Sequence, residues 1–408
     1  MKICVVGGGA AGMMAAVTAA RNGAETVLIE SNEKLGKKIY ITGKGRCNMT
    51  NFCSPQTFLT NVVTNQKFLY GSINLFPPEK TVEFFNSLGL ATKTERGDRV
   101  FPLSDKASDV TKTLEKELTR LGCDIKLNTK VKSIDINNGK IVSLTTTSGI
   151  VLCDKVILAC GGASYAATGS DGNGFSLAKS VGHTVTNLYP SLVDIKTKED
   201  YSLAGLSLTN VNISIIDKSG KTIFSQFGEA LFTHDAISGP IILTASAYIN
   251  KQNINDFTIA VDLKPALTNE ILDARILRDF SINSNKTFKN SLNGLLPERL
   301  ISVIIEVTKI NPDKKVNQIT AEERAVLVKT LKNFTLTAVK LGDLNTAVVT
   351  SGGVSVKEIN PKTMQSKLIE NLYFSGEMID VDAVTGGFNL QIAFSTGYAA
   401  GLYAATEK

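Results

Sequence analysis

The stretch Lys2-Ile3-Cys4-Val5-Val6-Gly7-Gly8-Gly9-Ala10-Ala11-Gly12-Met13-Met14, continued to Glu30, decides how this chain is read. Ile3 to Val6 is a short β-prone run, a glycine loop follows it, and Ala10 to Arg21 has the Ala- and Met-rich composition of a helix that ends at Asn22-Gly23. Thr26 to Glu30 makes the next strand, so the segment reads as one strand–helix–strand unit of a parallel sheet with a right-handed crossover. Gly7, Gly9 and Gly12 stand at G-x-G-x-x-G spacing between strand and helix. Gly7 permits the tight turn, Gly9 lets a diphosphate reach the backbone, and Gly12 lets helix and strand pack closely. The helix N-terminus offers unpaired N–H groups to the negative charge. Glu30, eighteen positions after Gly12, stands where an acid accepts hydrogen bonds from an adenosine ribose and disfavours a 2′-phosphate. The plain alternative is a glycine-rich structural turn; strand, helix, strand and acid in register favour dinucleotide binding.

Outward from this unit, 408 residues with 43% hydrophobic content suffice for a large core and more than one domain. The net charge of +6, from 44 Lys+Arg against 38 Asp+Glu, is spread along the chain without a long basic run, so no nucleic-acid partner is expected. Cys4, Cys47, Cys53, Cys123, Cys153 and Cys160 contain no CxxC pair, which suits free thiols in a reducing compartment. Ile3 to Ala20 resembles a signal peptide, but Gly7, Gly8, Gly9 and Gly12 in its middle argue against one. No other segment has eighteen consecutive apolar residues. The expectation is a cytoplasmic protein with a small-molecule substrate and neither membrane nor metal; its oligomeric state is not legible.

Val110, Leu114, Leu118 and Leu121 recur at helical spacing within 104–121. Residues 124–154 alternate around Asn137-Asn138-Gly139, which predicts two or three antiparallel strands, and Val156 to Cys160 is a buried strand running into Gly161-Gly162. From Tyr189 to Leu263 the chain is strand-like, with one helix opening at Ser238-Gly239-Pro240. Thr268 to Leu331 predicts three helices, with Pro297 suited to a first turn and a capping box from Thr320 to Glu323; strands resume at Phe334. The fold class is α/β: a Rossmann-type domain formed by 1–188 and 347–408, interrupted by an inserted domain at 189–346. The insert is β-rich at 189–264 and 334–346 and helical at 265–333.

Two further segments bear on the cofactor. Gly36 to Asn51 is a basic, glycine-rich loop that can wrap an extended cofactor, with Lys37 or Arg46 near phosphate; an ordinary solvated basic loop is the alternative. Leu372 to Ser375 is a strand, Gly376-Glu377 follows it, and Gly386-Gly387-Phe388-Asn389-Leu390 leads into a helix rich in small residues. Glu377 can bind ribityl or ribose hydroxyls, and N–H groups around Gly387 to Leu390 can face a flavin, where a helix N-terminus stabilises the charge of the reduced ring.

Together GGGAAG, GKKIYITGKGRCNMTN, CGGASYAATGSDGNGF, GEALFTHDAISGP and SGEMIDVDAVTGGFNLQIAFSTGYAAG closely resemble the BaiN/YhiN-like family of bacterial FAD-dependent oxidoreductases, nearly from end to end. The resemblance implies an FAD domain of the glutathione-reductase type with a β-barrel-like insert. It implies FAD contacts at Gly9, Ala11, Glu30, Lys37, Arg46, Cys47, Asn48, Val131, Gly376, Glu377, Gly387, Asn389 and Leu390, with Val131 beside adenine after the antiparallel strands. Cys160 departs from the threonine common before the paired glycines of related flavoproteins.

No second G-x-G-x-x-G is present, so no separate NAD(P)H domain is visible. The reaction expected is hydride transfer between flavin and a small organic substrate, chiefly reduction of an activated C=C bond with NAD(P)H as a transient donor. An oxygen-using amine oxidase of the aminoacetone type and a non-catalytic FAD module are the alternatives. Cys47 and Cys53 do not read as a redox disulfide, because five residues rather than four separate them and neither His183 nor His234 is in the C-terminal His-Glu arrangement. His234-Asp235 invites a general-base reading, but adjacent residues on a strand face opposite sides, and a structural role is favoured. No catalytic acid or base is named.

Overall fold

In the computed structural model, which describes residues 1–407, the opening strand (Lys2–Val6) is central in a five-stranded parallel sheet. Ile3, Cys4 and Val5 are wholly buried, as a parallel strand covered on both faces requires. On one flank lie Glu25–Ile29 and then Asp124–Lys126; on the other, Lys155–Leu158 and then Leu372–Phe374. In chain order the sheet runs fifth, fourth, first, second, third, so its growth reverses beside the first strand. Ligands of such sheets bind at the carboxyl ends of the strands, in the crevice at that reversal. The glycine turn follows the first strand, Glu30 the second, Gly161-Gly162 the fourth and Glu377 the fifth. The chemistry-bearing positions thus share one edge.

The two extremities of this sheet's domain meet through helices. Ala10–Arg21 is buried from Ala10 to Ala19, the pattern of a helix enclosed on all sides. It packs on the last helix, Phe388–Thr406, so closely that a Cβ at Gly397 would collide with the Ala11 carbonyl and one at Gly401 with that of Ala15. At the far end of the first helix, Arg21 donates to Glu117 of the helix Ala107–Arg120 and lies over the Phe84 ring.

Two readings of the sequence change here. Asp124–Lys126 belongs to the parallel sheet, where it pairs with residues 27–29 as the edge strand, and three antiparallel strands follow it: Val131–Asn137, Lys140–Thr146 and Gly149–Leu152. Val131 therefore opens this meander rather than following it. Residues 52–103 hold the helices Pro55–Thr60, Tyr70–Leu75 and Pro78–Ser87. A small antiparallel sheet of Thr50–Asn51, Arg99–Pro102 and Thr92–Glu95 adjoins them in sequence. The signals were local ones, Ser54 capping the helix that Pro55 begins and Pro78 in the first turn of its own.

The chain divides into two compact units, Met1–Ser191 with the residues from Asp343 onward, and Leu192–Gly342. Tyr189–Ser191 pairs with Val349–Ser351 inside the first unit. The second unit is a closed barrel in the order Ile195–Thr197, Ala236–Ser238, Thr222–Phe232, Ser207–Asp217, Phe257–Asp262 and Phe334–Leu341, the last returning to the first. Its helices are Pro240–Ile249, entered through Gly239 at φ +99°, then Asn269–Ile282, a single turn at Phe288–Ser291, Glu298–Thr308 just after Pro297, and Ala321–Lys332. The last opens on the expected capping box: Thr320 Oγ1 accepts from the Glu323 N–H and Glu323 accepts from the Thr320 N–H. His234-Asp235 lies in the bend between two barrel strands rather than on one, and Asp235 pairs with Lys196. Among the described residues no helix is long and apolar enough to cross a membrane.

Candidate functional site

At the centre of the carboxyl edge, Gly7 adopts φ +105° and lies against the backbone of Ala159 and Cys160, where a side chain has no room. Gly12 is pressed on the Gly7 carbonyl. Gly9 differs: it begins the first helix, and the space its missing Cβ would face is open. No side chain caps this helix and no acid occupies its first turn, so its N–H groups, Ala11 among them, are left for a ligand. Cys160 fills the threonine position with its thiol toward the Val6 carbonyl (3.5 Å); burial pushes that thiol up to about 12.

Glu30, 7% exposed, ties the turn to the second strand's loop. Its Oε2 accepts from the Gly8 N–H (2.7 Å), and its Oε1 from the Asn32 N–H (2.8 Å) and side-chain amide (2.6 Å). The carboxylate is thus fixed beside the glycine turn, and each oxygen can take more than one donor.

The basic loop splits its cations. Lys37, 24% exposed, bonds Glu33 (3.1 Å) and Asn32 (3.2 Å) of its own loop. Arg46 bonds Glu95 and Asp105 and sits 4.1 Å over the Phe101 ring. Asp105 is held below the usual carboxylate range by Lys93 first and Arg46 second, and Glu95 by Arg46. Neither of the expected phosphate-binding side chains is therefore a bare cation. Lys38, which the motif reading passed over, reaches Ser164 Oγ (2.7 Å) and the Glu377 carboxylate (2.9 Å). Glu377 also accepts from the Thr350 N–H (2.7 Å). Gly376, at φ +64°, stands where a Cβ would press on that of Ala11.

The third group joins the loop at 47–51 to the start of the last helix. Gly387, at φ +99°, begins that helix, and a Cβ there would lie 2.5 Å from the Thr50 backbone and 2.9 Å from Asn48 Oδ1. Asn51 donates to the Gly386 carbonyl (3.3 Å). Asn48 Oδ1 is buried without a protein partner, at a helix start that has no acidic first turn. Such an oxygen suits a donor on a ligand, and a flavin ring carries an N–H of that kind. Asn389 spends its side chain on Ala383 and Val384, fixing the loop before the helix, and Leu390 is half-buried against the core. Cys47, wholly buried at φ +62°, has its thiol pushed up to about 12 by burial, which removes it as a nucleophile. Val131 is buried, and its carbonyl accepts from Asn173 (3.3 Å).

Open backbone at Gly9, an orphaned acceptor at Asn48 and two uncapped helix starts fit an elongated cofactor with an anionic middle and a hydrogen-bonding ring. Residues 1–403 match the model of the HI0933-like protein Rossmann domain. The chain belongs to the HI0933-like family. Among similar proteins, a 3-dehydro-bile acid delta(4,6)-reductase of Clostridium scindens is 32% identical, with 99% of each chain covered. A ribosomal RNA dihydrouridine synthase of Escherichia coli is 28% identical, over 97% of this chain and 96% of the other. Among solved structures, the 3-ketosteroid-delta4-(5alpha)-dehydrogenase from Rhodococcus jostii RHA1 superposes with a TM-score of 0.54 at 16% identity, covering 99% of this chain and 96% of that one, and shares the fold. The HI0933-like chain therefore has the expected α/β architecture, a Rossmann-type FAD-binding domain interrupted by a barrel with a helical part.

Proposed function

We propose that this chain, an FAD-dependent oxidoreductase by family and fold, saturates a C=C bond conjugated with a carbonyl, with NAD(P)H as electron donor. The observation that carries the reading is that two relatives aligned over nearly the whole chain, at 32% and 28% identity, have names that each denote saturation of such a bond. When bound, FAD supplies two-electron transfer between a nicotinamide and the carbon β to the carbonyl.

The residues named above would do the holding. The N–H groups from Gly9 to Ala11 would take the diphosphate, Glu30 the adenosine ribose and Glu377 the ribityl or ribose hydroxyls. Asn48 and the helix start at Gly387 would face the ring, where N–H dipoles stabilise added negative charge. Val131 would flank adenine. Lys37 and Arg46 would contribute main chain and long-range charge, since carboxylates occupy their side chains.

The substrate class proposed is a small enone, in keeping with a charge of +6 spread over the chain. Uracil in RNA also holds a C=C bond conjugated with a carbonyl, so both belong in the test. Purified protein loaded with FAD is mixed anaerobically with NADH or NADPH, then offered a 3-oxo-4-ene steroid or ribosomal RNA. Bleaching by nicotinamide and recolouring by the steroid supports the proposal. Recolouring by RNA alone moves the substrate to nucleic acid. Bleaching only by a small amine, with peroxide formed in air, replaces the reductase with an oxidase, and no bleaching by any donor contradicts catalysis of this kind.

A further inference from the structure

Lys38 and Glu377 are 339 residues apart in sequence and meet at the carboxyl edge of the sheet. The Lys38 ammonium has three protons. They are directed to Ser164 Oγ at 2.7 Å, Glu377 Oε2 at 2.9 Å and Glu377 Oε1 at 3.2 Å. Glu377 Oε1 accepts in addition from the Thr350 N–H at 2.7 Å and from Ser164 Oγ at 3.3 Å. The pair is drawn in from solvent, with side-chain exposures of 22% and 18%, and Gly162 packs on it so tightly that a Cβ there would press on both Thr350 and the Glu377 carboxyl carbon. Three segments are gathered on the carboxylate that the turn after the fifth strand carries: the loop after the second strand, the loop after the fourth, and Val349–Ser351. Lys37 has nothing comparable. Its partners Asn32 and Glu33 both lie on the same loop, and Glu33 is 60% exposed.

We propose that Lys38, rather than Lys37, is the lysine of this loop that serves the FAD site, and that it acts as a positioning residue by fixing the Glu377 carboxylate. The inference rests on the FAD reading above. Its physical ground is charge. The edge already carries Glu30 and Glu377, and a dinucleotide adds two phosphate charges to it. An acid that is to bind hydroxyls there has to be held in one rotamer and neutralised, or it repels the ligand it serves. Lys38 does both, from inside the fold. Removing one member of a part-buried ion pair leaves the other uncompensated, whereas loss of an i,i+4 pair whose acid is exposed changes little.

The test is titration of flavin-stripped protein with FAD, followed by calorimetry, for wild type, Lys38→Met, Lys38→Arg, Lys37→Met, Glu377→Gln and the double variant Lys38→Met/Glu377→Gln. Lys38→Met is expected to weaken FAD binding by about tenfold or more, and Lys37→Met by less than about threefold. Lys38→Arg, which keeps the charge, is expected to recover most of the loss. Because Lys38 acts through Glu377, Lys38→Met is expected to cost little further once Glu377 is Gln, a non-additivity that a scaffold role elsewhere does not give. Wild-type affinity in Lys38→Met, a larger loss in Lys37→Met, or additive losses in the double variant overturn the assignment while leaving the FAD reading intact. A wild-type protein that takes up no FAD overturns both. If Lys38→Met does not fold, Lys38→Arg and the Glu377→Gln background carry the comparison.

Discussion

Gly9 and Gly387 obey opposite constraints, and a methyl group distinguishes them. Gly387 combines a left-handed φ of +99° with a Cβ position 2.5 Å from the Thr50 backbone. Gly387→Ala is expected to cost at least about 2 kcal/mol, from the conformational penalty and the displaced loop, read as a shift in the urea midpoint. Gly9 has φ −78° and open space around its Cβ position. Gly9→Ala is expected to leave the urea midpoint within about 0.5 kcal/mol of wild type and to weaken FAD binding by about tenfold, because the methyl stands where the diphosphate approaches. A Gly9→Ala protein that unfolds early, or that binds FAD normally, contradicts this division. The glycines were legible in the sequence because tight turns such as Gly7 and close approaches such as Gly12 and Gly387 leave no room for a side chain. Lys38 was not, since two adjacent lysines in an aperiodic loop carry no mark of which one turns inward.

At the level of elements, the first helix is the part on which the others converge. Arg21 at its end and Arg120 both bond Glu117, whose side chain is only 3% exposed. Arg120 foremost, with Arg21, holds that carboxyl below the usual range against the cost of burial. A folded-state value below the unfolded one contributes stability that is present above the unfolded value, about 4.3, and is lost as pH falls through the folded one. Unfolding free energy measured from pH 6 to pH 3 is expected to fall less steeply in Glu117→Gln than in wild type, with the variant about 2 kcal/mol weaker near neutrality; parallel curves contradict the pair's role. Where the first helix meets the last, Gly401→Val is expected to separate the two at a cost of about 3 kcal/mol, since even a single carbon at Gly401 meets the Ala15 carbonyl. The longer helices were legible, Ala10–Arg21 from its composition and the Asn22-Gly23 stop, Ala107–Arg120 from its spacing and Ala321–Lys332 from its capping box. The short helices of 55–87 were not, because six- to ten-residue elements are fixed by packing rather than by period. Asp124–Lys126 misled for a related reason: three residues cannot declare whether their partner is parallel or antiparallel.

For the molecule as a whole, sequence separation and spatial separation part company. The barrel unit has its own core around Ile213, Ile259 and Leu336, distinct from the core around Val5, Met13 and Phe394. The first unit is assembled from segments more than 150 residues apart in the chain. That the last segment returns to the first was legible from the glycine motifs of the two segments together with the family resemblance; the pairing of Lys155–Leu158 with Leu372–Phe374 is what realises it. Hydrogen exchange with and without FAD measures this convergence directly. The expected result is simultaneous slowing of amides in 7–13, 47–51 and 387–391, with the barrel strands Ser207–Asp217 and Phe257–Asp262 little changed. Slowing confined to one end of the chain, or none at either, contradicts a single FAD site built from both.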